Sequence, residues 1–174
     1  DDDCDGQTDE GILVEGCVFH YYDADNDGWG QDDHLCLCKP QGNYRALNTG
    51  DCEDSPIGNG ALINPGLTED CNTAFDDNCN SELTELNALN CTDYYIDNDD
   101  DGYGLQGSEA QCWCAPQGNY DVTNDDDCND GEGTIRPGII EDCNTTFDDN
   151  CNGDNNEVDS ANCSAFYLDE DQDG

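Results

Sequence analysis

The chain has 174 residues, and its 44 acidic residues against three basic ones give a formal net charge of −41. Such a charge repels phosphate backbones, which excludes nucleic acid as a partner, and it attracts cations. Hydrophobic residues make up 34% of the chain and include 14 cysteines, so too little apolar surface remains for a large core. No apolar run is long enough to cross a membrane, and we expect no membrane insertion.

Several motifs recur in the same order along the chain. For example, the segments 36–44 and 112–120 share the pattern Cys-x-Cys-x-Pro-Gln-Gly-Asn-Tyr. Recurrence at a fixed period is typical of tandem repeats. We therefore interpret residues 1–16 as the C-terminal end of a preceding repeat, 17–90 and 91–162 as full repeats, and 163–174 as the start of a following repeat. Adjoining repeats or identical subunits are the expected partners at both ends.

Regular secondary structure is expected to be sparse. Aromatic pairs at 21–22, 94–95 and 166–167 predict short strands, as do the Cys-x-Cys segments. The stretch 82–89 is compatible with a helical turn or two, whereas Gly, Asn, Asp and Pro elsewhere indicate turns. The predicted fold class is an array of small, mostly irregular β/loop repeats, bound to calcium and cross-linked by disulfides.

A first type of acidic loop follows each aromatic pair. It places an aspartate at every second position and then a glycine, which suits calcium because that ion takes six to eight oxygens and the glycine permits a sharp turn. The seventh residue would add a backbone carbonyl. An EF-hand has a glutamate at position 12, where this chain has His34 and Ser108, so other acids are expected to complete the shell. The candidate ligands are Asp23, Asp25, Asp27, Trp29, Asp32 and Asp33, then Asp97, Asp99, Asp101, Tyr103 and Glu109, and then Asp169, Asp171 and Asp173.

A second type of loop surrounds a cysteine and ends in a glutamate six residues after it. A third acidic pair lies upstream of two of these loops and is expected to join a glutamate in another site. Two or more calcium ions per repeat are expected. The second-loop candidates are Asp1, Asp3, Asp5 and Glu10, then Asp76, Asn78, Asn80 and Glu85, and then Asp148, Asn150, Asn152 and Glu157; the third group comprises Asp51 and Asp54 with Glu69, and Asp127 and Asp130 with Glu141.

This order of motifs resembles the MopE-type metal-binding repeat family of bacterial surface and secreted proteins. The resemblance covers both full repeats, and the first loop is also similar to thrombospondin type 3 calcium loops. It implies metal binding outside the cell. The family name is associated with copper, but the chain has no Met and only two His, so calcium is favoured over copper.

The cysteine density is typical of an oxidising compartment, so we predict an extracellular or cell-surface location and disulfide bonds. If equivalent cysteines pair alike and none stays free, counting gives Cys4–Cys17, Cys79–Cys91 and Cys151–Cys163. Each Cys-x-Cys member should then bond one of the two later cysteines, which leaves two connectivities per repeat. The remaining cysteines are Cys36, Cys38, Cys52 and Cys71, and Cys112, Cys114, Cys128 and Cys143.

Three Asn residues, Asn90, Asn144 and Asn162, fit the glycosylation sequon and suggest a glycoprotein. No catalytic constellation repeats, and we predict that the chain is not an enzyme. The expected function is that of a calcium-binding structural segment in an extracellular filament or cell-surface stalk. The alternative is a secreted metal-binding (calcium or copper) or adhesive module that acts without polymerisation.

Overall fold

A computed structural model of the chain describes residues 17–168 and residue 170. The chain divides into two compact units, unit 1 up to Asn90 and unit 2 from Cys91. Strands, turns and loops make up the described part, and its helical content is a single 3-10 turn over Gly60–Leu62. None of the described segments forms a helix with the length and apolar character needed to span a membrane.

Unit 1 contains a three-stranded antiparallel sheet in the order β3–β1–β4, formed by β1 (Val18–Tyr22), β3 (His34–Leu37) and β4 (Tyr44–Ala46). Two further strands of two residues each, β2 (Trp29–Gly30) and β5 (Asn48–Thr49), pair in parallel. The acidic loop of residues 23–28 joins β1 to β2, so its start and its end are both fixed by a strand.

Unit 2 has a sheet of the same order, β7–β6–β8, built from β6 (Thr92–Ile96), β7 (Gln111–Trp113) and β8 (Tyr120–Val122). An isolated parallel bridge between Leu105 and Asp127 lies just beyond the positions that correspond to the two-residue ladder of unit 1. The strand predictions at 21–22 and 94–95 and at the Cys-x-Cys segments are thus confirmed.

Two local predictions are wrong. Phe166 and Tyr167 form no strand, and their side chains are almost fully exposed because no second strand pairs with them within the described residues. The stretch 82–89 is not helical. Its turns are stabilised by local contacts instead, and Leu89 donates its amide to the carbonyl of Glu69 at 2.7 Å.

The buried residues are mainly acidic. The buried hydrophobic side chains are Ala46, Ile63, Ala88 and Ile135, whereas ten Asp and Glu residues of the described chain are buried: Asp23, Asp51, Asp54, Glu69, Asp77, Asp97, Asp127, Asp130, Glu141 and Asp149. Burying a charge is costly unless it is paired or bound to a metal. Four small or medium apolar side chains cannot offset that cost, so other forces must hold the fold.

Disulfides supply part of that stabilisation. They join Cys17 to Cys36, Cys52 to Cys79, Cys91 to Cys112, Cys128 to Cys151 and Cys143 to Cys163, with Cα–Cα distances of 5.1 to 5.6 Å. Cys38, Cys71 and Cys114 are also disulfide-bonded. The prediction that these cysteines form disulfides is confirmed for all of those described.

The predicted pairing is wrong. Cys17 does not bond Cys4, and the bonds Cys79–Cys91 and Cys151–Cys163 are replaced by those given above. Cys36 and Cys112 also bond an earlier cysteine, not one of the two later ones. The antiparallel ladders explain this, because Val18 pairs with Leu37 and Thr92 with Trp113, which brings each strand's preceding cysteine beside the facing strand. Equivalent cysteines also pair differently, since Cys91 bonds Cys112 whereas Cys163 bonds Cys143.

Candidate metal centre

The first acidic loop of unit 1 folds around its own carboxylates. Asp23 accepts the amides of Asn26 at 2.6 Å and Gly28 at 3.3 Å, and Asp27 accepts the amide of Trp29 at 2.8 Å. Gly28 has a φ of 96°, which L side chains rarely adopt. The sharp turn predicted at the sixth loop position is therefore present, and one oxygen each of Asp23, Asp25 and Asp27 lie within 4.8 Å of one another.

The loop of unit 2 has the same design. Asp97 accepts the amides of Asp101 at 3.3 Å and Gly102 at 2.9 Å, and Asp101 accepts that of Tyr103 at 2.9 Å. Gly102 has a φ of 90°. Oxygens of Asp97, Asp99 and Asp101 again lie within 4.8 Å of one another.

A second chain segment brings two more aspartates to each loop. In unit 1 the parallel β2–β5 pairing continues with a hydrogen bond from the Asp51 amide to the Gly30 carbonyl, which places Asp51 and Asp54 beside the loop. Their oxygens lie within 4.8 Å of Asp25, and those of Asp127 and Asp130 lie equally close to Asp99. We call Asp23, Asp25, Asp27, Asp51 and Asp54, and in unit 2 Asp97, Asp99, Asp101, Asp127 and Asp130, the five-aspartate clusters.

Both clusters contain buried carboxylate oxygens that have no hydrogen-bond partner within the described part of the chain. Asp51 is 7% exposed, Asp54 9% and Asp127 0%, and the Oδ2 atom of each accepts no hydrogen bond from any described residue. The same is true of Oδ2 of Asp25 and of both side-chain oxygens of Asp99. A buried anionic oxygen without a donor is strongly destabilising, so these atoms require a cation or a proton.

Burial and mutual repulsion change the acidity of the clusters. Burial, followed by the charge of Asp27, raises the pKa of Asp25 to about 6. Burial is likewise the main cause that raises the pKa of Asp51, Asp99 and Asp127. Two unit charges ~5 Å apart repel by about 3 kcal/mol at an effective dielectric of ~20. Several such pairs would rival the stability of a small domain, ~5–15 kcal/mol.

The donor chemistry fits a hard cation. Carboxylate oxygens suit calcium or magnesium, whereas copper and zinc favour thiolate or imidazole ligands. Cys128 and Cys151 lie beside Asp127, but both sulfurs belong to one disulfide and cannot act as thiolates. His20 is buried, and its Nδ1 lies 2.9 Å from the carbonyl oxygen of Val18, two residues earlier in the chain.

The acids expected to complete the first loops lie elsewhere. Asp32 accepts the hydroxyl of Thr49 at 3.0 Å, Asp33 accepts that of Tyr44 at 2.9 Å, and both are exposed. Glu109 is exposed too. In unit 1, Asp51 and Asp54 lie beside the loop, where Asp32 and Asp33 were expected. The carbonyl role of Trp29 and Tyr103 stays a prediction.

The second loops also bring together the residues predicted for them. Asn78 donates to Glu85 at 2.9 Å, Asn80 donates to the same carboxylate, and Asp76 accepts the Asn80 amide at 3.0 Å. In unit 2 the corresponding residues Asp148, Asn150, Asn152 and Glu157 make the same contacts. The side-chain amides can present either nitrogen or oxygen to such a site.

Glu69 and Glu141 do not join the upstream aspartates. Glu69 accepts the Asp77 amide at 2.9 Å, so it lies on the side of the second loop. Burial, followed by the charges of Asp77, Asp76 and Glu85, raises the pKa of Glu69. Glu141 accepts the Asp149 amide at 2.9 Å, and its other oxygen is buried without a partner among the described residues. The two glutamates therefore lie beside the second loops, and not with the third acidic pair as expected.

Some candidates lie outside the described residues, namely Asp1, Asp3, Cys4, Asp5, Glu10, Asp169, Asp171 and Asp173. Among the sequons, Asn90 donates its side-chain nitrogen to Asp70 at 2.7 Å and Asn162 donates to Asp142 at 2.9 Å. A hydrogen bond from a backbone amide, followed by this side-chain contact, lowers the pKa of both Asp70 and Asp142. Asn144 is exposed. Glycosylation stays a prediction at all three.

The sequence prediction missed that the third acidic pair and the first loop form one cluster. The available signal was weak: the pair stands at a similar distance after the loop in both repeats, with Asp51 28 residues after Asp23 and Asp127 30 residues after Asp97. No family model, characterised protein or solved structure matches this chain. The assignment of the site therefore depends on the geometry of its own residues.

Proposed function

We propose that each unit binds divalent cations, with calcium as the natural ion, at its five-aspartate cluster. The observation that carries this proposal is the convergence of buried carboxylate oxygens that accept no hydrogen bond from any described residue, above all Oδ2 of Asp51, Asp54 and Asp127. A bound cation supplies the positive charge that these oxygens lack. It also reverses the sign of the electrostatic term within the cluster.

Calcium is favoured over magnesium by the number and arrangement of the ligands. Five carboxylates offer more oxygens than the six of an octahedral magnesium site, and they come from two separate segments, which suits the flexible coordination of calcium. Copper is disfavoured because the chain has no Met and the described cysteines are oxidised.

A calcium titration with matched variants tests the proposal. Full-length protein, treated with chelator and then dialysed, is titrated by calorimetry while its melting temperature is followed. Asp25→Asn and Asp99→Asn should each weaken binding and lower the calcium-induced rise in melting temperature. Asp93→Asn removes an exposed acid in β6, outside both clusters, and is the control. A melting temperature that does not change when calcium is added would refute the proposal.

We further propose a second ion in each unit at the second loop, which makes two or more ions per repeat. Support comes from the convergence of Asp148, Asn150, Asn152 and Glu157 and from the buried, unpartnered oxygen of Glu141 in the same unit. Native mass spectrometry that resolves calcium adducts tests the number of ions.

The wider role we propose is that of a structural segment in an extracellular filament or cell-surface stalk. It is supported by motifs that recur in order along the chain, by disulfides in both units, and by the small number of apolar side chains buried among the described residues. Adjoining repeats or identical subunits would be the partners. Electron microscopy of the secreted, calcium-loaded protein should reveal fibres or rods, and monodisperse globules would contradict this role.

The alternative is a secreted metal-binding or adhesive module that acts without polymerising. It is favoured by the fact that each five-aspartate cluster is formed within a single unit, so that the site does not require a neighbour. A monomeric protein that binds calcium fully at low concentration would support this alternative over the fibre.

A further inference from the structure

The two five-aspartate clusters differ in the charge beside the first aspartate of the loop. In unit 1 the register between β1 and β4 shifts, so that Tyr22 pairs with Tyr44 and Tyr21 with Ala46, and Arg45 lies between the two pairs. The same shift in unit 2 pairs Ile96 with Tyr120 and Tyr95 with Val122 and leaves Asp121 at the corresponding place. Such irregularities redirect a side chain. An arginine in one unit is thus replaced by an aspartate in the other.

Arg45 contacts the loop of unit 1 directly. Its Nε and Nη2 atoms donate to the Asp23 carbonyl at 2.9 and 2.7 Å, and Nη1 donates to the side chain of Asn26 at 2.8 Å. Nε also lies 3.7 Å from the carboxylate of Asp23. The guanidinium therefore neutralises part of the charge that a cation in this cluster would encounter.

Unit 2 has negative charge at both corresponding places. Asp121 replaces Arg45, and Asp100 replaces Asn26 in the loop. Tyr120 pairs with Ile96, and the Asp97 amide donates to the Asn119 carbonyl at 2.8 Å, so the strand that carries Asp121 runs beside the first aspartate of the loop. The charge at these two positions is +1 in unit 1 and −2 in unit 2, a difference of three units.

One arginine in unit 2 adds positive charge near the cluster and so opposes the effect of Asp121 and Asp100. Arg136 donates to the Asp101 carbonyl at 2.9 Å and lies over the ring of Tyr103 at 6.0 Å from its centroid. The corresponding residue of unit 1 is Asn64, which donates to Asp27 at 2.7 Å. Arg136 offsets one of the three charges, so these three positions together are two units more negative in unit 2 than in unit 1.

We infer that the two units bind calcium with different affinities, that unit 2 is the high-affinity site, and that the residue at position 45 or 121 sets this difference. The inference rests on the proposed function of the clusters. A unit charge ~8 Å from a divalent ion changes the interaction by about 1 kcal/mol even in water. Two such charges lead us to expect affinity at least about tenfold higher in unit 2.

Terbium luminescence can report on each unit separately in the full-length protein. Trp29 directly follows the loop of unit 1, and its amide donates to Asp27, so it should sensitise terbium bound there. The unit 1 reporter carries Trp113→Phe, which removes the other tryptophan. The unit 2 reporter carries Trp113→Phe with Trp29→Tyr and Tyr103→Trp, which moves the tryptophan to the corresponding place. Calcium that displaces terbium gives the dissociation constant for each unit.

We expect displacement from unit 2 at a calcium concentration at least about tenfold lower than from unit 1. Arg45→Asp should strengthen calcium binding to unit 1 and reduce the difference in affinity between the units, whereas Asp121→Arg should weaken calcium binding to unit 2. Lys39→Asp is the matched control, because it changes the net charge by the same two units at an exposed position outside the loop.

The outcomes separate this inference from the proposed function. If neither reporter shows terbium emission that calcium displaces, then the clusters do not bind cations and both proposals fail. If both units bind calcium with equal affinity, or if Arg45→Asp has no more effect than Lys39→Asp, then only the present inference is overturned. Should Arg45→Asp fold poorly, Asp121→Arg provides the same test in unit 2.

Discussion

The carboxylate of Asp54 accepts a hydrogen bond from the backbone amide of Asp25 at 3.3 Å, across 29 residues of chain. The same oxygen accepts the amide of Ala24. In unit 2 the carboxylate of Asp130 accepts the amide of Asn98 at 2.6 Å. A distant acid thus orients the acidic loop as well as adding charge to its cluster.

Substitutions of Asp54 should separate these two roles. Asp54→Asn keeps an oxygen that can accept the two amides but removes the charge, whereas Asp54→Ala removes both. We expect calcium binding to unit 1 to weaken about tenfold in Asp54→Asn. Binding should weaken further in Asp54→Ala, because the loop then also loses the acceptor that orders it. Competition with terbium at Trp29 measures both. Equal affinities for the wild type and Asp54→Ala would show that Asp54 is no part of the site.

Acidification should have opposite effects on the chelated and the calcium-loaded protein. The pKa of Asp25 is raised to about 6 in the folded chain, from an ordinary value of 3.8. The folded state therefore binds more protons than the unfolded state between about pH 4 and 6, and the stability of the chelated protein should rise as pH falls through that range. Calcium competes with those protons, so calcium affinity should fall over the same range.

Melting temperatures at pH 7, 6 and 5, each with calcium and with chelator, test this directly. The two curves should converge as pH falls. Asp25→Asn should flatten the response of the chelated protein, because it removes a main titrating group. A chelated protein that loses stability steadily from pH 7 to pH 5 would contradict the expectation.

Loss of the Cys52–Cys79 disulfide should destabilise unit 1. The bond closes a loop with a sequence separation of 27, for which chain entropy gives about 3.5 kcal/mol. The double variant Cys52→Ala and Cys79→Ala should lower the free energy of unfolding by roughly that amount, measured by denaturant titration with calcium present. Peptide mapping without reductant should recover Cys17 bonded to Cys36; recovery of Cys79 with Cys91 would contradict the pairing.

Removal of the buried Glu141 side chain should destabilise unit 2. Glu141→Ala leaves the Asp149 amide without its acceptor, at a cost of about 1–3 kcal/mol. Glu141→Gln keeps an acceptor and should restore most of that stability in the chelated protein. If Glu141 also binds the second ion, the Gln variant should still bind less calcium. Thermal melts and calcium titrations of both variants distinguish these roles.

Many local features of this protein follow from neighbouring residues in its sequence. Alternating aspartates followed by a glycine specify a tight loop, since the first and last aspartates of each loop accept amides two to five residues further on, and Gly28 and Gly102 adopt the expected positive φ. Aromatic runs specify the central strands β1 and β6 because their side chains suit a pleated, half-buried surface. The cysteine count similarly predicted that the chain is cross-linked.

The contacts between distant groups depend instead on how separate segments pack. The positions of Asp51 and Asp54 at the first loop depend on a parallel ladder of two residues, which is too short to leave a pattern in the sequence. The disulfide partners depend on the antiparallel register that brings Cys17 to Cys36, and spacing along the chain does not encode that register. Local hydrogen bonds are fixed by neighbouring residues, whereas these contacts form only when separate segments pack together.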